Sequence, residues 1–266
     1  MCDTCGCNVT PGNEHLVAAG GHLATTSTGH ESVEVLKGLL DANDHQAAHN
    51  REHFARHRAL AVNLMSSPGA GKTALLEATV EALGGELKIA VIEGDLETEN
   101  DAERIRQKGV PAVQISTGSA CHLDAHMVHS ALHELDIDSV DIVFIENVGN
   151  LVCPASFDLG QHVNVTLLSV PEGDDKPAKY PVMFRAADLV ILSKSDLLPV
   201  LDDFSTDRAR HYLHELANPA DVIELSAKTG EGLAQWLDWV MSREAGLEHR
   251  LGAIDTLDQG AGSTAP

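Results

Sequence analysis

A glycine-rich stretch and several groups of cysteine and histidine have the residue types and spacing of ligand-binding sites. The stretch Ser66–Thr73 reads SSPGAGKT, and it follows an apolar run of strand length and opens a segment of helical spacing. Glycines in this setting let backbone N–H groups turn toward phosphate oxygens, and the helix N-terminus adds a positive dipole end. The lysine amine would reach the β- and γ-phosphates, and the threonine hydroxyl would bind Mg²⁺. We therefore predict a phosphate-binding loop rather than a plain glycine turn. Its predicted binding residues are Pro68, Gly69, Ala70, Gly71, Lys72 and Thr73.

Two further positions of this predicted site lie at the carboxyl ends of strands. Asp95 ends the second predicted strand, and Gly149 follows Glu146 at the end of the fourth. Ligands of open parallel sheets bind in the crevice beyond these strand ends. We therefore predict that Asp95 binds Mg²⁺, directly or through water, and that the N–H of Gly149 contacts the γ-phosphate. The alternative is that such an acid caps the next helix.

A guanine-selective loop is predicted after the sixth strand. The carboxylate of Asp196 can accept two hydrogen bonds from guanine N1–H and N2–H₂, which adenine does not offer. The backbone after the seventh strand can contact guanine O6. The predicted base-binding residues are Lys194, Asp196, Ser226, Ala227 and Lys228. Together with Lys72, Thr73, Asp95 and Gly149 as catalytic residues, they predict a GTPase, with slow intrinsic hydrolysis on the order of 10⁻⁴ to 10⁻² s⁻¹.

The first predicted metal site is the N-terminal Cys-x-x-Cys-Gly-Cys. Cys2, Cys5 and Cys7 offer three soft thiolates, and removal of Met1 would add the α-amine of Cys2 as a fourth ligand. Such a set suits Ni²⁺ in a planar geometry or Zn²⁺ in a tetrahedral one. A redox motif is the alternative, but these cysteines do not lie at a strand–helix junction.

The second predicted metal site consists of Cys121, His122 and Cys153. The two thiols follow the third and fourth predicted strands, so both should emerge on the nucleotide side. Cys153 lies on the same loop as Gly149, and a loop that tightens on the γ-phosphate would move this ligand. A symmetric dimer would bring six ligands together. The alternative is that both cysteines are small packing residues.

Histidines also recur at helical spacing in two stripes. The first stripe is His45, His49, His53 and His57, and the second, after His122, is His126, His129 and His133. Histidines four residues apart on a helix can share one metal ion. Weak additional nickel storage is one hypothesis, and a solvated polar face is the other.

Alternating strand and helix patterns from residue 60 onward predict an α/β fold of the P-loop NTPase kind. Seven apolar runs of strand length alternate with segments of helical spacing, which is typical of a mostly parallel sheet with helices on both faces. A preceding helix is predicted from Asp41 to about Arg58. The predicted organisation is a flexible cysteine- and histidine-containing segment (1–40), a GTPase domain (41–250) and a disordered tail (251–266).

Charge and composition exclude several classes of protein. The 266 residues carry a net charge of −22, which disfavours nucleic acid and anionic membrane surfaces as partners. The sequence has neither an apolar run long enough to cross a membrane nor a signal peptide. We therefore expect a cytoplasmic protein in which the five cysteines stay reduced.

Taken together, these motifs resemble the HypB family of hydrogenase nickel-incorporation GTPases. The similar segments cover nearly the whole chain and are Cys2–Cys7, Asn63–Thr73, Cys121–Ala125, Glu146–Pro154 and Pro171–Pro177. The resemblance implies a GTP-driven homodimer that passes Ni²⁺ to the [NiFe]-hydrogenase large subunit, working with a small HypA-like nickel and zinc protein. It also implies tight nickel binding by the N-terminal cysteines and a weaker nickel or zinc site at the dimer interface.

The chain departs from the usual GTPase pattern at two positions. Ser66 stands where the phosphate loop usually has Gly, and Ser193 where the base loop usually has Asn. That Asn ties the base loop to the phosphate loop, so its replacement predicts weaker nucleotide affinity.

Two alternative functions stay open at this point. One is a nickel or zinc storage protein with weak GTPase activity. The other is a urease-type nickel accessory GTPase, for which a Cys-Pro-His motif is expected. Here Ala155 follows Cys153 and Pro154, which argues against the second alternative.

Overall fold

The structure of the chain is a computed structural model that describes residues 30–83, 85–95, 100–118 and 120–261. The predicted N-terminal metal site at Cys2, Cys5 and Cys7 lies outside these residues.

All seven predicted strands are confirmed. They are β1 (Leu60–Ser66), β2 (Ile89–Asp95), β3 (Ala112–Ser116), β4 (Ile142–Glu146), β5 (Val163–Ser169), β6 (Leu189–Ser193) and β7 (Asp221–Leu225). They form one sheet in the order β3-β2-β4-β1-β5-β6-β7, and every neighbouring pair is parallel. The central strands are mostly apolar because a parallel sheet is covered on both faces. Strand β1 is buried along its whole length.

Helices cover both faces of the sheet, as predicted. The α-helices of the described residues are α1 (His30–Arg56), α2 (Lys72–Leu83), α3 (Asn100–Arg106), α4 (Ala125–Leu132), α5 (Lys176–Lys179), α6 (Pro181–Arg185), α7 (Thr206–Glu215) and α8 (Leu233–Ala261). Because successive side chains of a strand point to opposite faces, Val62 and Leu64 of β1 pack in an apolar cluster with α2 and α8. Ala61, next to Val62 on the strand, packs in a second cluster with α1 and α4. Within the described part of the chain, no helix is long and apolar enough to cross a lipid bilayer.

The two terminal helices extend beyond their predicted limits. Helix α1 begins at His30, inside the predicted flexible segment, instead of at Asp41. Helix α8 continues to Ala261, into the predicted disordered tail. The small and polar residues of LGAIDTLDQGA at its end favour a disordered tail, yet a glycine inside a helix costs only about 1 kcal/mol relative to alanine.

Helix α8 is anchored to α2 by a buried tryptophan. The indole Nε1–H of Trp236 donates a hydrogen bond of 2.8 Å to Thr79 Oγ1, and both residues are fully buried. The same hydroxyl donates to the carbonyl of Leu75 in α2, at 2.6 Å. The Trp236 ring also stacks on Trp239, with 5.8 Å between centroids. This contact holds the C-terminal helix against the helix that begins at the glycine-rich loop.

Thr79→Val should lower the free energy of unfolding by about 1–3 kcal/mol, because the Trp236 N–H stays buried and loses its acceptor. Thr166 in β5 is the matched control, since its buried hydroxyl has no hydrogen-bond partner among the described residues. Thr166→Val should therefore be neutral or stabilising. Urea unfolding measures both variants, and equal destabilisation by the two substitutions would contradict this account.

Candidate nucleotide and metal sites

The loop between β1 and α2 has the backbone conformation that phosphate binding requires. Gly69 and Gly71 have φ angles of 73° and 101°, in the left-handed region that favours glycine. Lys72 and Thr73 begin α2, so free N–H groups of the helix N-terminus face the loop. Ser66, where glycine is usual, is buried and accepts a 3.1 Å hydrogen bond from Lys72 Nζ. The loop therefore accommodates serine at this position and uses its hydroxyl to hold the lysine amine.

A cavity of about 500 Å³ opens over this loop and brings the predicted phosphate and Mg²⁺ residues together. It is lined by Pro68, Gly69, Gly71, Lys72, Thr73, Asp95 and Gly149 among others. Ala70 lies at the adjoining cavity described below. All the residues predicted from the motif therefore lie at one crevice beyond the carboxyl ends of the strands.

Two buried carboxyl groups stand at the base of this cavity. Glu93 and Glu146 are register partners on the neighbouring strands β2 and β4, and they are 3% and 4% exposed. Burial raises the pKa of Glu93 to about 10, and the negative charge of Glu146 adds to the effect. Burial also raises the pKa of Glu146, but the Lys72 ammonium, 4.0 Å away, and the Thr73 hydroxyl favour its ionised form. At neutral pH Glu93 therefore carries a proton.

The donor set around Glu146 fits a Mg²⁺ ion. Glu146 Oε1 accepts a 2.9 Å hydrogen bond from Thr73 Oγ1, whereas its Oε2 is buried and accepts none from the described residues. Asp95 lines the same cavity. It lies two residues after Glu93 on β2, so both side chains point to the same side of the sheet. Carboxylate and hydroxyl oxygens are the ligands that this hard cation prefers. The sequence motifs missed Glu93, although its spacing from Asp95 was the available signal.

Gly149 lies so close to the phosphate loop that no other residue fits. A Cβ at this position would lie 2.8 Å from Pro68 Cα and 2.9 Å from Pro68 N, both of them backbone atoms. The next N–H, of Asn150, donates a 2.7 Å hydrogen bond to the carbonyl of Ser66. The segment 147–153 is therefore pressed directly against the phosphate loop.

The predicted base-binding residues line a second cavity of about 290 Å³ that adjoins the first. Gly71 and Lys194 border both cavities. All five predicted base-binding residues line it: Lys194, Asp196, Ser226, Ala227 and Lys228. Asp196 Oδ1 accepts a 2.7 Å hydrogen bond from Ser226 Oγ, which orients the carboxylate and joins the two base loops.

The base loop is connected to the phosphate loop even though Ser193 replaces the usual asparagine. The Ser193 hydroxyl donates a 2.7 Å hydrogen bond to the carbonyl of Ala70. Lys194, whose φ of 60° is left-handed, donates from Nζ to the carbonyl of Gly69 at 2.7 Å. The short serine side chain suffices because the end of β6 lies directly beside the loop. The effect on nucleotide affinity stays a prediction.

Cys121, His122 and Cys153 come together in one cluster. The Sγ atoms of Cys121 and Cys153 are 3.1 Å apart, and all three ligand atoms lie within 4.8 Å of one another. The His122 ring is buried and stacks on Phe157, with 3.9 Å between centroids. Burial lowers the pKa of His122 to about 4, so the imidazole is neutral and able to bind a metal near neutral pH.

Asn150 connects this cluster with the phosphate loop, a role that the sequence motifs missed. Its backbone N–H donates to Ser66, and its side-chain Nδ2 donates a 3.2 Å hydrogen bond to the carbonyl of Cys121. Nearby, Asn147 accepts a 3.2 Å hydrogen bond from the Leu123 N–H. The segment 147–153 thus contacts the nucleotide cavity at Gly149 and the thiol cluster at Cys153.

Comparison with known proteins decides the family. Residues 60–224 match the family described as CobW/HypB/UreG, nucleotide-binding domain. The chain is 51% identical over 229 residues to the hydrogenase maturation factor HypB of Azotobacter vinelandii, which covers 86% of this chain and 75% of that protein. The chain belongs to the HypB family.

Solved HypB structures share the fold described above. The crystal structure of HypB from Helicobacter pylori in complex with nickel is 42% identical, with a TM-score of 0.74, covering 77% of this chain and 96% of that chain. The HypB structure from Archaeoglobus fulgidus is 40% identical, with a TM-score of 0.72, covering 77% and 100%. The HypB resemblance and the P-loop NTPase fold predicted from the sequence are confirmed.

Binding of Mg²⁺ and GDP at pH 7.5 should release protons, because a divalent cation beside Glu93 favours the ionised carboxylate and lowers its raised pKa. Isothermal titration calorimetry in buffers of different ionisation enthalpy measures the number of protons released. Glu93→Gln should reduce the number of protons released. The control Glu134→Gln, at an exposed position just after α4, should leave that number unchanged. Equal proton release by all three proteins would contradict the assignment of the proton to Glu93.

The same raised pKa sets a stability trend for the protein without Mg²⁺. The stability contributed by protonated Glu93 is fully present below its ordinary pKa and is lost as the pH rises toward about 10. Glu93→Gln should therefore flatten the fall of stability between about pH 7 and 9. Urea unfolding at several pH values checks this, and an unchanged slope would count against it.

Proposed function

We propose that this chain is a nickel-binding GTPase that delivers Ni²⁺ during maturation of a [NiFe]-hydrogenase, with GTP hydrolysis coupled to metal transfer. The observation that carries the proposal is the single segment 147–153, which contacts both the nucleotide cavity and the thiol cluster. Membership of the HypB family, whose relatives are named hydrogenase maturation factors, supports the cargo and its destination.

In this proposal the nucleotide is held by residues of the two adjoining cavities. Backbone N–H groups of the phosphate loop and the Lys72 ammonium bind the phosphates, and Asp196 accepts hydrogen bonds from guanine. Thr73, Glu146, Glu93 and Asp95 would hold Mg²⁺, which when bound neutralises charge on the β- and γ-phosphates. Because the carboxyl pair is buried, water is excluded around it, and its charge acts on the bound cation in a low dielectric.

Ni²⁺ is the cargo, and Cys121, His122 and Cys153 are its proposed ligands in this domain, with Zn²⁺ as a second metal of the same site. Three ligands leave coordination positions open, which suits transfer better than storage. A second copy of the chain would close the site by adding its own three ligands, as in a symmetric homodimer. Cys2, Cys5 and Cys7 would form the tighter nickel site, and a HypA-like protein and the hydrogenase large subunit are the proposed partners.

The proposed coupling passes through Gly149 and Asn150. When the N–H of Gly149 contacts the γ-phosphate, the segment is drawn onto the phosphate loop and Cys153 is held beside Cys121. After hydrolysis that contact is lost and the segment relaxes, so the thiolates separate and the metal is released.

A storage protein is the second candidate, and the number of histidines at helix surfaces favours it. The two functions differ in one measurement, which is hydrolysis of GTP and ATP by the full chain with and without one equivalent of Ni²⁺. Slow turnover of GTP alone that changes with Ni²⁺ supports the coupled GTPase. Metal binding without turnover supports storage.

Lys72→Ala should abolish GTP hydrolysis and leave nickel binding by the N-terminal cysteines intact, because the lysine binds phosphate and is not one of the metal ligands. Activity assays and nickel analysis of the same preparation measure both. Loss of hydrolysis and N-terminal metal binding together would contradict two separate sites.

Asn150→Ala should reduce the difference in nickel affinity between the GTP-bound and GDP-bound protein, because it removes the hydrogen bond to Cys121 and keeps the backbone contact with Ser66. Couplings of this kind are typically about 5–150-fold. Nickel titrations in the presence of each nucleotide measure the difference. Val152→Ala, at an exposed position of the same segment, is the control and should retain the full difference. Wild-type coupling in Asn150→Ala would show that the path runs elsewhere.

A further inference from the structure

The two histidine stripes predicted from the sequence meet where α1 packs against α4. We use the name interhelical histidine cluster for His49 and His53 of α1 together with His129 and His133, at the end of α4. Ring centroids are 5.0 Å apart for His49 and His129, and 4.6 Å apart for His129 and His133. His53 lies 6.4 Å from His129 and 6.1 Å from His133. Four imidazoles from two helices therefore share one small volume.

Two of these rings already present a metal-binding pair. The Nε2 atoms of His129 and His133 are 3.2 Å apart and point toward each other. With metal–nitrogen bonds of about 2.0–2.1 Å, two neighbouring nitrogen ligands lie about 2.8–3.0 Å apart on an octahedral ion and about 3.3–3.4 Å apart on a tetrahedral ion. The observed spacing is thus the bite that a single ion requires. The half-buried ring of His53 lies beside both of these rings, on the neighbouring helix.

Burial favours the neutral form of two of the cluster's imidazoles, His53 and His129. Burial and the neighbouring rings lower the pKa of His129, and burial followed by the charges of His57 and His129 lowers the pKa of His53. The Nδ1 atom of His129 is buried without a hydrogen-bond partner among the described residues. Neutral imidazole is the form that binds late first-row transition metals.

The two helices are held rigidly enough to present a site. Asn50 of α1 donates from Nδ2 to the carbonyls of Ala125 and Leu159, at 2.8 and 3.0 Å. Asn43 of α1 accepts a 2.9 Å hydrogen bond from the N–H of Ala125. These buried amides fix the start of α4 on α1, and ligands on packed helices keep their spacing better than ligands on loops. The thiol-cluster ligand His122 immediately precedes the same helix.

We propose that the interhelical histidine cluster is a separate site for a divalent late transition metal, Ni²⁺ or Zn²⁺. His129 and His133 are its paired ligands, and His53 is the third ligand, from the other helix. A site of imidazoles and water, without thiolate, binds these ions more weakly than the cysteine sites and exchanges them faster. It would hold metal within about two helical turns of His122, close to the site from which delivery is proposed. The inference does not depend on GTP hydrolysis, so the two proposals can fail separately.

The test is the metal stoichiometry of the full chain, measured by equilibrium dialysis against Ni²⁺ and, separately, Zn²⁺. The variant combining His53→Gln, His129→Gln and His133→Gln should lose about one equivalent of the weaker class of sites. His211→Gln with His214→Gln, an exposed pair on α7, is the matched control and should lose none. An equal loss in both variants means adventitious surface binding and overturns the proposal, as does an unchanged stoichiometry in the triple variant.

Two further measurements separate this site from the thiol cluster and from misfolding. A variant with all five cysteines replaced by serine should retain the histidine equivalent, and Co²⁺ bound to it should absorb without a thiolate charge-transfer band. Loss of that equivalent with the cysteines would overturn the proposal. The single change His133→Gln, at an exposed position, should keep the urea unfolding curve of the wild type and weaken Zn²⁺ binding at this site about tenfold or more. Unweakened binding in this folded variant would also overturn it.

Discussion

The contact between Gly149 and the backbone of Pro68 is the constraint on which the nucleotide and metal sites both depend. It leaves no room for a side chain, so the segment after β4 lies directly on the phosphate loop. The hydrogen bond from Asn150 to Ser66 fixes the register of that contact. Because Cys153 follows within the same segment, the position of one thiol is set by the position of the loop that binds phosphate.

Burial sets the protonation state of one key side chain at each site even without a ligand. At the nucleotide cavity, β2 and β4 place two carboxyl groups side by side in the interior, and the ammonium of Lys72 partly compensates their charge. Such a pair is costly without a cation, and the protein reduces the cost by keeping Glu93 protonated. At the thiol cluster, burial of His122 against Phe157 also favours the neutral form. The neutral imidazole keeps a ring nitrogen available to bind a metal.

Helix packing also decides the arrangement of histidines. The amides of Asn43 and Asn50 are buried and form hydrogen bonds that join α1 to α4 and to the loop before β5. Gly160 belongs to the same contact, because a Cβ there would lie 2.6 Å from the carbonyl of Ala47. This polar interface sets the rotation of α1 relative to α4 and hence which histidines face each other.

The sequence by itself determined the features that depend on neighbouring residues. Aliphatic runs of strand length located all seven strands, and the SSPGAGKT stretch located the phosphate loop, because hydrophobic periodicity and glycine conformations are local properties. The limits of α1 and α8 were missed, since packing rather than propensity sets where a long helix ends. Only the tertiary structure decided that Glu93 faces Glu146, that Ser193 reaches Ala70, and that Asn150 joins Ser66 to Cys121. Those pairs are separated by tens of residues along the chain, and they meet because the strand order β3-β2-β4-β1-β5-β6-β7 brings their strand ends to one edge of the sheet.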